Sequence, residues 1–203
     1  MSALWLSDKP LVLASKSMVR RTMIEAAGIP VEVHVAEIDE RAVEAQAGAE
    51  TPEDVALMLA QRKAEAVSKI VPGRLVVGAD QTLAAGRTRF TKPTDRASAR
   101  RQLQELRGKP HQLHSGVALA RDGKVIYAVC DSARLVMRNF SEEFLDSYLD
   151  AAGASVCDSV GGYQLERVGI QLFQEIDGDH NTILGLPLFS LLIALREAGA
   201  LKD

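Results

Sequence analysis

The chain has 203 residues, of which 47% are hydrophobic and 25% are charged, and its formal net charge at pH 7 is −3. This length and composition are sufficient for one domain with a sizeable core, and they exclude a largely disordered chain. The acidic balance argues against nonspecific binding to nucleic acid, because such binding depends on Lys and Arg neutralising phosphates. We therefore expect a single domain over residues 1–203 that forms no stable complex with nucleic acid.

The sequence predicts no segment that would direct the chain to a membrane. The N-terminal sequence MSALWLSDKPLVLAS lacks the basic start and long apolar stretch of a signal peptide. The longest apolar-rich run, Leu186 to Leu195, is shorter than the roughly 20 residues that span a bilayer. Cys130 and Cys157 show neither CxxC nor chelating spacing, which predicts two buried free thiols. These features together predict a cytoplasmic protein with no membrane partner.

The first predicted elements are a buried strand at Leu11–Ala14 and a helix over about residues 17–27. The turn between them contains Ser15 and Ser17, and Arg20 lies near the start of the helix. A helix N-terminus presents free backbone N–H groups and the positive end of the helix dipole, so this turn suits a phosphate group. A helix that is capped by its serines and has solvated arginines explains the same pattern equally well.

An acidic segment and a well-capped helix are predicted next. Residues 31–36 alternate as a strand does, and the predicted loop Glu37-Ile38-Asp39-Glu40 has carboxylates that suit Mg²⁺. Thr51 is followed by a proline and two acidic residues, which is typical of an N-cap, and the helix is predicted to reach about Ile70. Lys63 lies within this helix, where a solvated lysine is the simplest interpretation.

The second predicted buried strand covers Leu75–Ala79 and ends at Asp80. Folds of the α/β class bind ligands at the C-terminal ends of such strands, which makes Asp80 a candidate for a catalytic carboxylate. An aspartate that caps a turn is the alternative. A haloacid-type phosphatase would require a second aspartate two positions on, where this chain has Thr82. Lys92, which precedes Pro93, is a further cationic candidate, and a surface lysine explains it as well.

The rest of the chain mixes helices with strands. The predicted elements are a helix over residues 96–106, strands over His111–Ala120 and Lys124–Met137, and helices over Glu142–Ala151 and Leu186–Ala198. Asp122-Gly123 between the two strands is a strong hairpin signal. His111 and His114 are three residues apart in a predicted strand, so they should face opposite ways and cannot bind one metal ion together. Gly178–Pro187 is predicted as a loop that either closes over a ligand or terminates the sheet. The pattern predicts an α/β or α+β fold with a mixed sheet.

Eight segments of the chain, in order, resemble the Maf family of nucleoside triphosphate pyrophosphatases. They are LVLASKSMVRR, VAEIDE, LAQRKAEAV, VVGADQTL, TKP, LRGKPHQLHSGVAL, VGGYQLERVGIQLFQEIDG and NTILGLPLFSLL, and they span nearly the whole chain. The resemblance implies a two-lobed α/β fold similar to that of inosine triphosphate pyrophosphatases. In that fold a mixed sheet is flanked by helices, and the active-site cleft lies between the lobes. It also implies a house-cleaning hydrolase that converts a nucleoside triphosphate to the monophosphate and pyrophosphate, and it suggests a homodimer.

The resemblance also assigns roles to residues of this chain. Asp80 matches the family's proton acceptor, and the residues that match its phosphate pocket are Ser15, Ser17, Arg20, Lys63 and Lys92. Glu40 and Asp80 match the metal pocket, which implies a divalent cation such as Mg²⁺, Mn²⁺ or Co²⁺. Cationic side chains and a metal ion would offset the charge of a triphosphate, and a carboxylate would orient or deprotonate the attacking water. Whether Asp80 acts as a base or chiefly as a metal ligand stays open.

Three positions bear on the choice of base, namely Val19, Gln81 and Glu166. Family members that prefer dTTP and UTP tend to read Ser-Pro-Arg-Arg, Gly-Ala-Asp-Thr and Tyr-Gly-Ile-Gln, whereas this chain reads SMVR, GADQ and YQLE. Gln81 and Glu166 look like the branch that hydrolyses 7-methyl-GTP. A carboxylate accepts hydrogen bonds from the guanine N1 and 2-amino groups and complements a positively charged methylated ring. Val19 stands where that branch usually has Trp, which would stack on the base.

These observations leave three hypotheses about function. The first is a pyrophosphatase that prefers 7-methyl-GTP or another non-standard purine nucleotide. The second is a pyrophosphatase of the same fold that prefers dTTP or UTP. The third is a nucleotide-binding regulator of septum formation with little catalysis.

Overall fold

A computed structural model of the protein describes residues 3–47 and 51–203. The helices within them are α1 (Met18–Ala26), α2 (Glu40–Ala47), α3 (Pro52–Ile70), α4 (Arg96–Leu106), α5 (Glu142–Ala152), α6 (His180–Ile183) and α7 (Leu188–Glu197). The strands are β1 (Leu11–Leu13), β2 (Val31–Val33), β3 (Val76–Ala85), β4 (Thr88–Phe90), β5 (Pro110–Arg121), β6 (Lys124–Met137) and β7 (Phe173–Asp177). Three short 3₁₀ helices cover Gly153–Cys157, Val160–Gly162 and Val168–Leu172.

All seven described strands form one mixed sheet in the order β2-β1-β3-β5-β6-β7, with β4 paired to β3. Strand β1 is parallel to both β2 and β3, whereas the β3–β4 and β6–β7 pairs are antiparallel. Strands β5 and β6 are joined by Asp122 and Gly123, both of which have positive φ angles (52° and 77°). Two such residues form the type I′ turn expected of Asp-Gly, so the predicted hairpin is confirmed. The predicted mixed α/β sheet flanked by helices is confirmed as well.

The chain divides into two compact units. The first contains residues 1–81, 115–131 and 185–203, and the second contains residues 82–114 and 132–184. Strands β3, β5 and β6 therefore each contribute residues to both units. The prediction of a single domain over residues 1–203 stays a prediction.

In the first unit, helix α3 packs very closely on the sheet. A Cβ atom added to Gly78 of β3 would lie 2.2 Å from the carbonyl oxygen of Ala60 and 2.6 Å from the backbone nitrogen of Ala64. One added to Gly116 of β5 would lie 2.4 Å from the carbonyl oxygen of Ala56. Helix α3 begins after Thr51, the predicted N-cap, which also forms a capping box in which Thr51 and Asp54 exchange hydrogen bonds between side chain and backbone. Glycine and alanine at these positions set the distance between helix and sheet.

The second unit has a separate apolar core. Its largest fully buried side chains include Leu83, Leu103, Leu135 and Leu145. On its surface, Arg100 of α4 and Arg107, the residue after α4, form ion pairs with Glu142 at the start of α5, at 2.8 and 2.7 Å. None of the described helices has the length and apolar character needed to cross a membrane. Cys130 and Cys157 are free thiols, as predicted, but they are half-buried rather than buried.

Several elements differ from the sequence-based expectation. Strand β3 does not end at Asp80, because it continues to Ala85 and pairs with the unpredicted strand β4. Glu40 does not lie in a loop, because Asp39 accepts a hydrogen bond from the backbone of Ala42 and the helix α2 begins at Glu40. The predicted loop at Gly178–Pro187 contains the short helix α6, whose N-cap is Asp179. Strand β7 was also not predicted.

Candidate active site

Lys63 joins two carboxylates in the first unit. Its Nζ lies 2.6 Å from Oδ1 of Asp80 and 2.7 Å from Oε1 of Glu40. The side chains of Lys63 and Asp80 are only 12% and 14% exposed, whereas that of Glu40 is 51% exposed. Lys63 and Asp80 therefore form a mostly buried ion pair, and Glu40 contacts the same ammonium group from the solvent side.

The close packing of α3 on β3 explains how Lys63 reaches Asp80. Ala60 and Ala64 contact Gly78, so the helix backbone around Lys63 lies against the strand two residues before Asp80. Asp80 also follows the parallel part of the sheet, where Leu13 pairs with Val77. Although Asp80 is not at the end of its strand, it lies beyond the C-terminal end of β1, where parallel sheets place ligands.

Arg20 is fixed beside this ion pair by the backbone. Its Nε donates to the carbonyl of Gly185 at 2.8 Å, and its Nη1 donates to the carbonyl of Ala79 at 2.8 Å and to Oγ of Ser15 at 3.2 Å. Burial lowers the pKa of the Arg20 guanidinium, while the charges of Asp80 and Glu40 raise it. Its Nη2 makes no hydrogen bond to any residue in the described part of the chain, so two donors are left for a ligand.

Ser15 and Ser17 organise the start of α1. Oγ of Ser15 accepts a hydrogen bond from the backbone N–H of Ser17 at 3.2 Å, and Oγ of Ser17 caps the helix by accepting from that of Arg20 at 3.4 Å. The serines therefore do cap the helix, which was the plainer of the two sequence-based interpretations. Because each oxygen acts as an acceptor in these contacts, each hydroxyl keeps its own proton to donate to a ligand.

The environment of Asp80 shifts the pKa of its carboxyl. Burial raises the pKa of the Asp80 carboxyl above its ordinary value, and the charge of Glu40 acts in the same direction. The charges of Lys63 and Arg20 and the hydrogen bond from Lys63 lower the pKa and offset part of this effect. A carboxylate with a raised pKa binds a proton more strongly, as proton transfer from water requires.

The same carboxylates fit a divalent cation. Mg²⁺ is commonly bound by one or two carboxylates together with phosphate oxygens of a substrate. Glu40 and Asp80 supply two carboxylates that converge on one ammonium group, which itself shows that this place suits a positive charge. Within residues 3–47 and 51–203 no group of three or more His, Cys, Asp and Glu side chains is arranged to bind a metal. The residues therefore fit a metal that is held jointly with a phosphate-bearing ligand.

The specificity candidates lie in both units. In the first unit, Gln81 follows Asp80 directly, and its Nε2 donates to Oγ of the fully buried Ser115 at 2.9 Å. Val19 lies, partly buried, in the first turn of α1. Glu166 and Lys92 belong to the second unit, and both are exposed. The structure thus brings together Ser15, Ser17, Arg20, Glu40, Lys63 and Asp80, and places Lys92 and Glu166 in the other unit.

The segment before Glu166 is held by contacts that sequence analysis did not identify. The hydroxyl of the buried Tyr163 lies 2.8 Å from Nε2 of His111, and the two rings meet edge to face with centroids 5.7 Å apart. The hydroxyl of Tyr148 donates to the carbonyl of Gly162 at 3.0 Å. The two adjacent glycines before Tyr163 were the only signal for a constrained backbone here, and both have positive φ angles. His114 instead contacts Ser132, so the two histidines do not share a ligand site.

Comparisons with known proteins agree with the resemblance seen in the sequence. The family described as Maf-like protein matches residues 10–198. A nucleoside triphosphate pyrophosphatase of Rhodopseudomonas palustris (strain BisB18) is 51% identical over 96% of both chains. Another, of Paramagnetospirillum magneticum, is 52% identical over 94% of this chain and 99% of its own. Among solved structures, the Ham1 protein of Staphylococcus aureus matches 94% of this chain and 100% of its own, with 14% identity and a TM-score of 0.43.

Proposed function

The chain belongs to the Maf-like protein family, and from this membership and the site we propose that it hydrolyses nucleoside triphosphates to monophosphates and pyrophosphate. It is thus a hydrolase that acts on a phosphoanhydride bond. The observation that supports this most strongly is the contact of Lys63 with both Asp80 and Glu40, beside the buried Arg20. Two cations and two carboxylates at one place match the needs of a charged phosphate chain and an attacking water.

In this proposal the cations and hydroxyls of the site bind phosphate, and Asp80 acts on the attacking water. Arg20, through Nη2, and Lys63 bind phosphate oxygens and stabilise the charge that develops on them, as do the hydroxyls of Ser15 and Ser17. Asp80 orients the attacking water and accepts its proton. Lys92, in the second unit, is proposed as a further phosphate ligand on the family resemblance alone.

Glu40 and Asp80 would hold a divalent cation such as Mg²⁺, Mn²⁺ or Co²⁺ together with the substrate. When bound, the metal acts as a Lewis acid on the phosphate oxygens. Lys63 contacts one oxygen of each carboxylate, and the substrate phosphates would be further partners of its ammonium group. Glu40 is the more exposed of the two carboxylates.

For the base we propose a preference for 7-methyl-GTP or another non-standard purine nucleotide, with Gln81, Glu166 and Val19 as the specificity positions. The exposed carboxylate of Glu166 supports this, because it can accept hydrogen bonds from a guanine edge. A preference for dTTP or UTP is the alternative. The cluster around Lys63 favours catalysis over a purely regulatory role in septum formation. A cytoplasmic location and a homodimer are proposed on the family resemblance alone.

A nucleotide panel tests the proposal. The purified chain is incubated with 7-methyl-GTP, the standard ribonucleoside triphosphates and dTTP, each with Mg²⁺, Mn²⁺ or Co²⁺, and pyrophosphate release is measured. We expect metal-dependent release, with 7-methyl-GTP giving the highest kcat/KM. A best rate with dTTP or UTP would establish the alternative preference, and no hydrolysis of any triphosphate would refute the proposed function.

A further inference from the structure

A polar cavity lies in the first unit, at the N-terminal ends of β1 and β3. Its volume is about 200 Å³, and its lining includes Lys9 and Pro10, just before β1, and Arg74 and Leu75, just before β3. Strands β1 and β3 are parallel, and the candidate active site lies beyond the C-terminal end of β1, at Asp80 within β3. Asp80 lies five residues after Leu75, or roughly 16 Å at ~3.3 Å per residue. The cavity is therefore separate from the candidate active site.

Three cationic side chains line this cavity, namely Lys9, Arg74 and Arg121. Nη2 of Arg74 donates to the carbonyl of Pro10 and to Glu32, each at 2.8 Å, and these bonds fix the guanidinium. Nε of Arg74 is buried and has no hydrogen-bond partner among the described residues. Because Nε is closed to solvent, a ligand in the cavity would bond Arg74 through Nη1, which makes no hydrogen bond to the described residues.

The other lining groups are compatible with an anion. The hydroxyl of Ser7 and the indole of Trp5 also face the cavity. One wall is the end of α7, where helix carbonyls would repel an anion. Among the lining residues at this end, the carbonyl of Ala200 already accepts a hydrogen bond from the backbone N–H of Leu6. Arg74 is paired with Glu32, and Asp122 accepts a hydrogen bond from the backbone of Gly73. Lys9 and Arg121 therefore supply the positive charge available to an anion.

We propose that this cavity binds a small phosphate-type oxyanion, with inorganic pyrophosphate as the ligand of matching charge. At about 200 Å³ it is smaller than the roughly 300–1,000 Å³ of sites for larger organic ligands, so a whole nucleoside triphosphate does not fit. Arginine and lysine are the usual ligands of phosphate groups. Binding of an oxyanion in this cavity does not depend on the proposed function. Only the choice of pyrophosphate, which is a product of the proposed reaction, rests on the proposed function.

Trp5 provides a direct reporter, because it is the only tryptophan in the sequence and it lines the cavity. Its Nε1 donates to the carbonyl of Lys9 at 3.1 Å, so its surroundings are coupled to a proposed ligand residue. The intact chain, free of added metal, is titrated with pyrophosphate, orthophosphate or potassium chloride at matched ionic strength. We expect a saturable change in tryptophan emission that is tightest with pyrophosphate and absent with chloride. An equal response to chloride, or no saturable response, would overturn the proposal.

Variants separate this cavity from the active site. Lys9→Gln and Arg121→Gln should each weaken pyrophosphate binding by roughly tenfold or more, since each removes one charged hydrogen-bond donor. Lys124→Gln removes an exposed charge outside the cavity lining and should change nothing. Lys63→Gln should leave the Trp5 response unchanged while impairing hydrolysis. Loss of the response in Lys63→Gln, or wild-type affinity in both Lys9→Gln and Arg121→Gln, would contradict the proposal.

Discussion

Lys63 contacts both carboxylates of the candidate active site. Replacing it with glutamine removes a largely buried positive charge and leaves Asp80 and Glu40 facing each other without it. For Lys63→Gln we expect kcat/KM for a nucleoside triphosphate to fall by about 10²-fold or more, as when one preorganised electrostatic contact is lost. Arg62→Gln is the matched control, because Arg62 is the adjacent residue, is 57% exposed and pairs only with Glu65 among the described residues. Wild-type kinetics in Lys63→Gln would contradict the assignment.

His111 makes the stability of the protein dependent on pH. It is 2% exposed, and burial lowers its pKa from 6.5 to about 4. Between these values the unfolded chain binds a proton that the folded chain does not, so the free energy of unfolding decreases as the pH falls. From pH 6.5 to 4 this group alone removes about 3 kcal/mol of stability.

Urea unfolding between pH 7 and pH 4.5 measures this dependence. His111→Gln should lower stability at pH 7, because the contact with Tyr163 is altered, and should show a shallower pH dependence than wild type. His180→Gln replaces an exposed histidine and should follow the wild-type curve. Parallel pH curves for His111→Gln and wild type would show that His111 is not the group responsible.

At the level of residues, the sequence predicted which residues form the candidate site better than it predicted the contacts that these residues make. The family resemblance pointed to Asp80, Lys63 and Arg20, and the structure brings these three together. Nothing in the sequence indicated that Arg20 would donate to the carbonyl of Gly185, because that partner is 165 residues away in the chain. Contacts of this kind depend on how whole helices and strands pack together, and short sequence patterns carry no information about such packing.

At the level of elements, the contact of α3 with β3 determines the position of Lys63. A side chain at Gly78 would overlap backbone atoms of Ala60 and Ala64, which cannot move without moving the helix. For Gly78→Ala we expect a loss of about 1–3 kcal/mol in the free energy of unfolding, as is usual for overpacking, and a strong loss of activity. Chemical unfolding and steady-state kinetics measure the two effects.

Gly116→Ala is the comparison for this variant. The Cβ of the introduced alanine would clash with the backbone of Ala56, which lies about two helical turns before Lys63. We therefore expect a similar loss of stability with a smaller loss of activity. Equal activity losses in both variants would indicate that α3 moves as a rigid body. Wild-type stability in Gly78→Ala would contradict the packing described here.

Elements with strong local signals were predicted well. Helix α3 begins and ends as expected because its N-cap, proline and acidic first turn are adjacent in the sequence. The type I′ hairpin between β5 and β6 was likewise specified by two residues. Strand β3 was predicted to end at Asp80, but it continues to Ala85. The prediction failed because this extension depends on the pairing of Leu83 with Phe90. Strand pairing is non-local, so the sequence of one strand does not reveal where pairing stops.

At the level of the whole molecule, the proposed functional residues are divided between two compact units. The mixed sheet could be predicted from the alternation of strands and helices, and the family resemblance implied two lobes. The boundaries between the two units could not be predicted, because β3, β5 and β6 each belong to both units. The chain enters the second unit immediately after Gln81. Base preference is therefore proposed to depend on residues of both units, whereas the carboxylates and the buried cations belong to one.

Glu166→Gln tests the proposed contribution of the second unit. If the carboxylate of Glu166 accepts hydrogen bonds from a guanine edge, the amide should lower kcat/KM for 7-methyl-GTP by about tenfold, as loss of a charged hydrogen bond does. The rate with dTTP should change much less. Glu105→Gln, at an exposed position of α4 in the same unit, is the control. An unchanged ranking of nucleotides in Glu166→Gln would refute a role for this residue in reading the base.

The most direct test of the proposed function is product analysis of the wild-type chain beside Asp80→Asn, with metal and with a chelator. The asparagine keeps the shape of the side chain and removes its basicity, so the far-UV circular dichroism spectrum should be unchanged. Wild type with metal should release nucleoside monophosphate and pyrophosphate in equal amounts, and the chelator should stop the reaction. Asp80→Asn should lower kcat by at least about 10²-fold. Wild-type turnover in Asp80→Asn, or release of nucleoside diphosphate and orthophosphate, would contradict the account.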